Sequence, residues 1–380
     1  MKIKTILLCT LAFGVISACS NKKEKTEDPS AGIKLENLDT SVDPSQNFYK
    51  FACGGWMKNN PLKPEYGRYG SFDAIGENNK VRLKGLIEEI STLENAPGSI
   101  AQKIADLYNE SMDSITRNKE SYKPILPILN KIDKIKSKKD FVKTSIELQK
   151  QGAVSGLFYL YADVDDKNSS KNIIKTSQGG LSLDSKDYYV NDDQKSKDIR
   201  AKYLQHITNM FALCGFNKAE SQKNANTVLN IETRIAKSSS SKLELRDPYA
   251  NYNLMTLAEL KKFTPNIDWK LILNILNVNV KELSVSQKKQ MEEVNNLLAN
   301  EKLSNLKTLL KWQAIDGASS LLSDDIYNES FDFNSRYMQG KEVAPARWKR
   351  GVAMVNHALG MAVGKMYVEK YFQLQPKKEC

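Results

Sequence analysis

The chain has 380 residues, of which 41% are hydrophobic and 27% charged, and its formal net charge is +11. This length allows one large domain or two ordinary ones of about 100–200 residues each, and the composition is that of a globular protein. Lysines alternate with acidic residues in most segments, and no arginine-rich or aromatic-laced patch occurs, so the sequence argues against nucleic-acid binding.

The N-terminal segment has the order of a secretory signal: two lysines, an apolar run over residues 6–16, then small residues. That run is shorter than the roughly 20 apolar residues that span a bilayer. The stretch ISAC at residues 16–19 resembles the lipobox of bacterial lipoproteins, whose cysteine becomes the lipidated first residue. We therefore predict that residues 1–18 are removed and Cys19 is lipidated; the alternative is an ordinary signal peptide cut nearby. The expected location is the bacterial cell envelope, with the membrane contacted through the lipid alone.

The next segment, residues 19–38, is predicted to be a flexible tether. Its run SNKKEKTEDPSAG has no aromatic or branched apolar residue and cannot bury enough surface to fold. A folded domain is predicted over residues 39–380.

Helical periodicity dominates this predicted domain. In the segment SIAQKIADLYNESM, from Ser99, the apolar residues recur on one helix face, and the same holds for QKSKDIRAKYLQHITNMFALCGF, which Gly215 should terminate. A third and longer pattern starts at Pro345 and continues to residue 372, with small residues such as Gly351 that would let another helix approach closely. The face-forming residues are Ile100, Ile104, Leu107 and Tyr108 in the first segment, Ile199, Tyr203, Ile207, Met210, Phe211 and Cys214 in the second, and Trp348, Val352, Val355, Leu359, Val363 and Met366 in the third.

Strand signals are few. The aromatic and branched stretch GLFYLYADVD, residues 156–165, is typical of a strand, and NIIKTSQGGLSL could pair with it. Loops are predicted at residues 95–99, 167–170 and 238–241. The predicted fold class is therefore mainly α, with one small β-hairpin.

Motifs for chemistry are absent from the printed sequence. Only His206 and His357 exist, and neither belongs to an HExxH motif, so both are interpreted as structural or exposed rather than as metal ligands. The sequence also lacks G-x-S-x-G, Walker-type and G-x-G-x-x-G motifs. Without a family resemblance, the chain would be interpreted as a binding or structural module.

The block NFYKFACGGWMKNNPLKPEYGRYGSFD, residues 47–73, resembles the start of the neprilysin-type (M13) zinc metallopeptidases. Three further segments are similar to the family and follow in its order: GLSLDSKDYYVND from Gly180, LRDPYANYNLMTLAEL from Leu245, and RWKRGVAMVNHALGMAVGKMYVEKYF from Arg347. The resemblance covers roughly residues 40–372 and implies the family's large N-terminal helical domain.

In this family the helical region covers a thermolysin-like catalytic half and encloses a chamber that admits modest peptides. The catalytic half carries HExxH and zinc, so zinc is expected in the full-length family and not in this chain. The chain ends before that half, and the resemblance implies a truncated or split metalloendopeptidase that is inactive alone, with peptides and a separate or missing catalytic domain as partners. The alternative is a non-catalytic peptide-binding lipoprotein.

The resemblance also implies two substrate-binding residues. The arginine of the RYGSFD-like motif, here Arg68, is expected to reach the substrate cleft and hold the C-terminal side of the peptide, and Asp73 to orient the charges of the cleft. The alternative is that Arg68 pairs with a neighbouring acid. Gly76 stands where animal members carry a second arginine, which weakens any inferred substrate preference.

The stretch FACGGW within the first block has its own interpretation. Gly54 and Gly55 are expected to let the backbone turn tightly while Phe48, Phe51 and Trp56 are buried. By resemblance, Cys53 would form a disulfide with the catalytic half; in this chain it is a free thiol or pairs with Cys380.

Overall fold

The computed structural model describes residues 34–372, which belong to two units, Met1–Leu62 and Lys63–Cys380. The predicted signal peptide, the lipidation site Cys19 and most of the predicted tether lie outside the described residues, as does Cys380. None of the helices within residues 34–372 is both long enough and apolar enough to cross a membrane.

The first unit contains a short 3-10 turn, Leu35–Asn37, and helix α1, Phe48–Asn59. Helix α1 begins where the side chain of Asn47 accepts a hydrogen bond from the Lys50 N–H at 2.9 Å, which satisfies one of the free donors of the first turn. The 3-10 turn Leu35–Asn37 lies within the predicted tether, so these residues form a single helical turn.

The predicted tight turn at Gly54 and Gly55 is wrong, because both glycines lie inside α1. They are needed for close packing: a Cβ on Gly54 would lie 2.6 Å from the Cβ of Asp39, and one on Gly55 would overlap the Glu36 carbonyl oxygen. The predicted burial of the neighbouring aromatic residues also fails for Phe48, which is 68% exposed.

The second unit is mainly helical, as predicted, and carries one small sheet. A π-helical segment, Asp332–Tyr337, follows α14. The helices are α2 (Ser71–Thr92), α3 (Ile100–Met112), α4 (Ser114–Glu120), α5 (Leu126–Asp133), α6 (Lys138–Lys150), α7 (Asp187–Val190), α8 (Gln194–Leu213), α9 (Lys218–Ser238), α10 (Leu257–Phe263), α11 (Trp269–Leu276), α12 (Lys288–Asn300), α13 (Leu303–Ala318), α14 (Asp324–Phe331) and α15 (Arg347–Tyr371).

The sheet has the strand order β1-β2-β4-β3, with strands β1 (Phe158–Asp165), β2 (Asn168–Gln178), β3 (Leu254–Thr256) and β4 (Glu282–Val285). The antiparallel β1–β2 pair is the predicted hairpin, but its turn is shorter than the predicted loop, since β2 already begins at Asn168. Strand β4 pairs parallel to β2 and antiparallel to β3. Strands β3 and β4 were not predicted, because segments of three and four residues are too short to show an alternating pattern.

The larger of the two hydrophobic clusters among the described residues contains the predicted face of α8. Tyr203, Ile207 and Phe211 are buried there beside Trp312. Cys214, at the end of α8, is buried as predicted for a small core residue, and this burial raises the pKa of its thiol to about 12. The thiolate is therefore disfavoured, which indicates an inert thiol.

The smaller hydrophobic cluster joins α2, α3 and α15 and includes Ile87, Ile104 and Val355. Helix α15 begins two residues after Pro345 and is kinked at Leu359, whose φ and ψ are −126° and 26°. Gly351 is the small residue that permits close approach: a Cβ there would overlap the Ser111 Oγ and lie 3.2 Å from the Tyr108 ring.

We expect Gly351→Ala to lower the free energy of unfolding by about 1–3 kcal/mol, because the added methyl group overpacks the contact with α3. The matched control is Gly364→Ala in the same helix, where a Cβ meets no atom within 4 Å. Replacing a solvent-facing helical glycine by alanine should raise stability by roughly 0.5–1 kcal/mol. Urea unfolding followed by circular dichroism measures both variants. Equal shifts would contradict the close contact between α15 and α3.

Candidate functional site

A pocket of about 410 Å³ in the second unit contains both substrate-binding residues predicted from the sequence. One wall is the segment that leads into α2, and the other is the loop between the π-helical segment and α15. The lining residues are Tyr66, Gly67, Arg68, Asp73, Gln339 and Lys341.

Backbone contacts hold these two segments together, although about 270 positions separate them in the chain. The carbonyl of Pro64 accepts hydrogen bonds from the Glu342 N–H at 2.9 Å and the Val343 N–H at 3.2 Å. Gly67 lies so close to the Gln339 carbonyl that a Cβ would overlap it. A residue with a side chain at position 67 would therefore push the two walls of the pocket apart.

The loop that carries Lys341 is shaped by the end of the π-helical segment. Gly340 has a φ of +71°, a conformation that glycine adopts without strain, and its N–H donates to the Arg336 carbonyl at 3.1 Å. The Lys341 N–H donates to the Ser335 carbonyl at 3.2 Å. These bonds hold the backbone at Gly340 and Lys341, and Lys341 lines the pocket.

Asp73 has a structural role in addition to its place in the pocket. It lies in the first turn of α2, and its Oδ2 accepts a hydrogen bond from the Gly70 N–H at 2.8 Å. A carboxylate is favourable at this position because the N-terminal end of a helix carries partial positive charge. The half-buried Asp73 is thus held in place, and it brings negative charge to the wall that also carries Arg68.

Arg68 is exposed and makes no ion pair with any carboxylate within residues 34–372. The alternative that Arg68 serves to pair with a neighbouring acid therefore finds no partner in this part of the chain. Lys341, which is half-buried, also lacks an ion pair there. With Arg68 and Lys341 positive and Asp73 negative, the lining has a formal charge of +1 (two minus one), and this favours an anionic ligand.

A network of charged groups contacts the lining residue Tyr66 and connects α2 to α15. Lys349, in the first turn of α15, pairs with Glu65 and, at 2.6 Å, with Glu77 of α2. Lys80 contacts Glu77 at 2.9 Å, and the Tyr66 hydroxyl donates a hydrogen bond to the same carboxylate. Lys349 and Glu77 are only 13% and 12% exposed, so solvent screens their ion pair weakly.

These contacts shift the protonation equilibria. Burial alone would raise the pKa of Glu77, but hydrogen bonds from Lys349, Tyr66 and Lys80 outweigh it and lower the pKa to about 2. Burial and the hydrogen bond to Glu77 raise the pKa of Tyr66, which therefore stays a neutral donor. The same contacts raise the pKa of Lys349, so the ion pair of Lys349 with Glu77 is charged at neutral pH.

Sequence reasoning missed Gln339 and Lys341. The local sequence YMQGK shows only a helix end marked by glycine, and nothing in it indicates that the segment RYGSFD lies opposite. Spatial proximity across this separation is set by tertiary packing.

The zinc of the resembled family does not fit the described residues, among which no group of three or more His, Cys, Asp or Glu side chains could hold a metal ion. His206 is buried, with Nδ1 3.0 Å from Glu329 Oε1, and its ring stacks on Phe333 at 4.8 Å. His357 is exposed on α15. Both positions agree with the interpretation of the histidines as structural or exposed.

The sequence profile of the N-terminal part of peptidase family M13 matches residues 44–380, which is most of the chain. The chain therefore belongs to peptidase family M13, a family of zinc metallopeptidases, and the resemblance identified from the sequence is confirmed.

Individual relatives agree with this assignment. The chain is similar to rat endothelin-converting enzyme 1, with 29% identity over 350 residues that cover 89% of this chain and 45% of the relative. Its similarity to the human enzyme is 27% over 391 residues, covering 97% and 50%. The chain thus spans about half the length of the curated relatives it matches.

Solved structures confirm the predicted fold. The zinc metalloprotease Zmp1 of Mycobacterium tuberculosis, in complex with an inhibitor, matches with a TM-score of 0.84 and 27% identity over 90% of this chain and 52% of that chain. PepO of Lactobacillus rhamnosis matches in fold with a TM-score of 0.71, at 15% identity over 90% and 52%.

We expect Glu77→Gln to lower stability at neutral pH and to flatten its dependence on pH. Because the folded-state pKa of about 2 lies below the ordinary value of 4.5, ionised Glu77 stabilises the fold above about pH 5 and loses this contribution as the pH falls towards 2. The unmodified chain should therefore lose roughly 2–3 kcal/mol of unfolding free energy as the pH falls, and the variant should not show this loss. Urea unfolding at pH 7, 5 and 3 measures it.

The control for this experiment is Glu94→Gln, an exposed glutamate in the loop after α2. It removes the same charge and should follow the unmodified chain at each pH. If Glu77→Gln and Glu94→Gln gave the same pH profile, the Glu77 network would contribute nothing to stability.

Proposed function

We propose that the chain is the N-terminal, substrate-binding part of a zinc metalloendopeptidase of family M13 that acts in peptide proteolysis. Its proposed contribution is to hold the C-terminal carboxylate of a bound peptide. The observation that carries this proposal is the pocket in which Arg68 and Lys341 lie together without an acidic partner in the described residues.

The chemistry of the two cations suits this role. A guanidinium presents two parallel N–H donors to a carboxylate, which fixes the orientation of the carboxylate as well as its charge. The ammonium of Lys341 adds a second positive charge on a flexible stem. Animal family members carry a second arginine at the position of Gly76. In this chain the Lys341 ammonium would supply that second positive charge from another segment.

Peptide hydrolysis would require more than these residues. The family is zinc-dependent and the curated relatives are about twice as long, so we propose that a catalytic half supplies the zinc ligands, either in a longer protein or as a separate chain. The 380-residue chain alone would then bind peptides without cleaving them. No catalytic step is assigned to the described residues.

The location of the protein is part of the proposal. With residues 1–18 removed and Cys19 lipidated, the helical domain would stand outside the inner membrane of a bacterium, held there by lipid. Its partners would be peptides and the catalytic half, with no role in nucleic-acid binding. This placement rests on the sequence pattern of the first 19 residues.

A second candidate function is a non-catalytic peptide-binding lipoprotein. It is favoured by the formed pocket together with the lack of a metal-binding group among residues 34–372. The two candidates share the binding step and differ in whether a catalytic half exists.

Arg68→Ala should weaken binding of a peptide with a free C-terminus by roughly tenfold or more, because a charge-assisted pair is lost. We would measure an acetylated tetra-alanine as the acid and as the C-terminal amide by calorimetry. The acid should bind more tightly than the amide, and Arg68→Ala should remove this difference. Lys341→Ala should reduce the difference in the same direction.

The matched control is Arg246→Ala, an exposed arginine outside the pocket. It removes the same charge and should leave the preference for the acid intact. Equal binding of acid and amide by the unmodified chain would exclude a carboxylate-binding role for the pocket.

The 380-residue chain alone should show no chelator-sensitive peptide hydrolysis. Measured with a fluorogenic peptide, chelator-sensitive cleavage would contradict the proposed need for a catalytic half. Sequencing the DNA beyond codon 380 separates the two candidates: a frame that encodes HExxH would support an interrupted or split peptidase, and its absence would favour the binding lipoprotein.

A further inference from the structure

A second pocket, of about 340 Å³, shares no lining residue with the Arg68 pocket. Its walls are the loop at residues 152–155, the start of the segment GLSLDSKDYYVND at Leu181 and Ser182, and three residues of α13, Gln313, Asp316 and Gly317. The proposed function assigns no role to that segment. A volume of this size is enough for a small organic group.

Hydrogen bonds fix the polar walls of this pocket. The Gln313 side chain accepts from the Gly156 N–H at 3.0 Å and donates to the Gly156 carbonyl at 2.9 Å. The Ser182 hydroxyl donates to Glu232 at 2.7 Å and accepts from the Trp312 indole N–H at 2.9 Å. Because both side chains are already held, a ligand would meet a preformed surface and lose little entropy in ordering it.

Asp316 supplies the charge of the pocket. It is the one ionisable residue in the lining, and within residues 34–372 its carboxylate has neither a hydrogen-bond donor nor an ion pair. Burial raises the pKa of Asp316, and the nearby His206 opposes this rise. Asp316 is half-buried and lines the pocket, so a cation bound there would pair with a carboxylate that has no other partner in the described residues.

A second carboxylate lies directly behind the wall. Glu232 is fully buried and accepts hydrogen bonds from Ser182, from Tyr189 at 2.7 Å and from Tyr203 at 2.8 Å. Burial raises the pKa of Glu232 to about 7, the three hydroxyl groups oppose the rise, and Asp316 adds to it. No lysine or arginine lines the pocket, so the lining itself supplies no cation to pair with Asp316.

We propose that this pocket binds a primary ammonium group, carried by a peptide N-terminus or by a lysine side chain. An ammonium has three donors and one positive charge. The lining offers the Asp316 carboxylate, a remaining lone pair on the Ser182 hydroxyl, and the Ala153 carbonyl, which lies 3.8 Å from the Cβ position of Gly317. A bare metal ion fits less well, since no group of three carboxylate, thiol or imidazole side chains occurs in the described residues.

The test compares n-butylammonium with n-butanol, its neutral counterpart, binding to the full chain by ligand-observed NMR titration. The amine should bind and the alcohol should bind at least roughly tenfold more weakly. Asp316→Asn should weaken amine binding by a similar factor. Asp106→Asn, which removes a charge from the exposed side of α3, should leave it unchanged. Equal binding of amine and alcohol, or no effect of Asp316→Asn, would overturn the proposal.

A second variant tests the pocket without changing its charge. Gly317 is exposed on α13, and a Cβ there makes only an ordinary contact, so Gly317→Leu should fold and obstruct the pocket. It should weaken amine binding although Asp316 is intact. Circular dichroism verifies that both variants fold; unchanged amine binding by Gly317→Leu would place the amine elsewhere and refute the assignment.

Two pairs of probes distinguish the sources of the ammonium. Alanyl-alanine amide with a free N-terminus is compared with its acetylated form, and acetyl-lysine amide with acetyl-norleucine amide. Tighter binding of alanyl-alanine amide than of its acetylated form identifies a peptide N-terminus. Tighter binding of acetyl-lysine amide than of acetyl-norleucine amide identifies a lysine side chain. These probes are C-terminal amides, so a failed carboxylate-binding proposal at Arg68 would leave this result unaffected.

Discussion

The pocket of Arg68 depends on the ion pairs of Lys349. This side chain lies between Glu65, which precedes α2, and Glu77, which is inside it, while its own backbone belongs to α15. It therefore connects the segment that carries Arg68 to the helix that follows the loop of Lys341. Removing one partner would leave charges in a weakly solvated site, which costs more than an exposed ion pair contributes.

Apolar packing and charge act together in this region. The smaller hydrophobic cluster brings α15 against α2 and α3, with Gly351 allowing the close approach, and this contact sets the position from which Lys349 reaches Glu77. The charged network could not form if α15 stood farther away. The hydrophobic effect thus supplies most of the driving force for the arrangement, and the ion pairs select its geometry.

The sequence predicts elements with strong periodicity and misses contacts between distant segments. The faces of α8 and α15 and the β1–β2 hairpin follow from local patterns, because each segment is long enough to show its period. Strand β4 is too short for that, and its partner β2 precedes it by more than 100 residues. Gly54 and Gly55 were misinterpreted because a glycine fits a tight turn and a close helix contact equally well.

The two pockets show different limits of sequence reasoning. Family resemblance predicted Arg68 and Asp73 as site residues, since they lie in one contiguous motif, but Lys341 could not be predicted because its neighbourhood arises only on folding. Asp316 was overlooked for a related reason: a single aspartate on a helix has no distinctive pattern. Its proposed role in ligand binding depends on the nearby Ser182 and Glu232, which belong to two other segments.

The opposite charges of the pockets give the two proposals independent physical grounds. The pocket at Arg68 has two cations and one carboxylate, whereas the pocket at Asp316 has one carboxylate with a second behind its wall. A free peptide carries an ammonium at one end and a carboxylate at the other, so each pocket complements one of its termini. Different networks support the two sites, one built on Lys349 and the other on Glu232. A substitution in one network should therefore change the recognition of one terminus and leave the other intact.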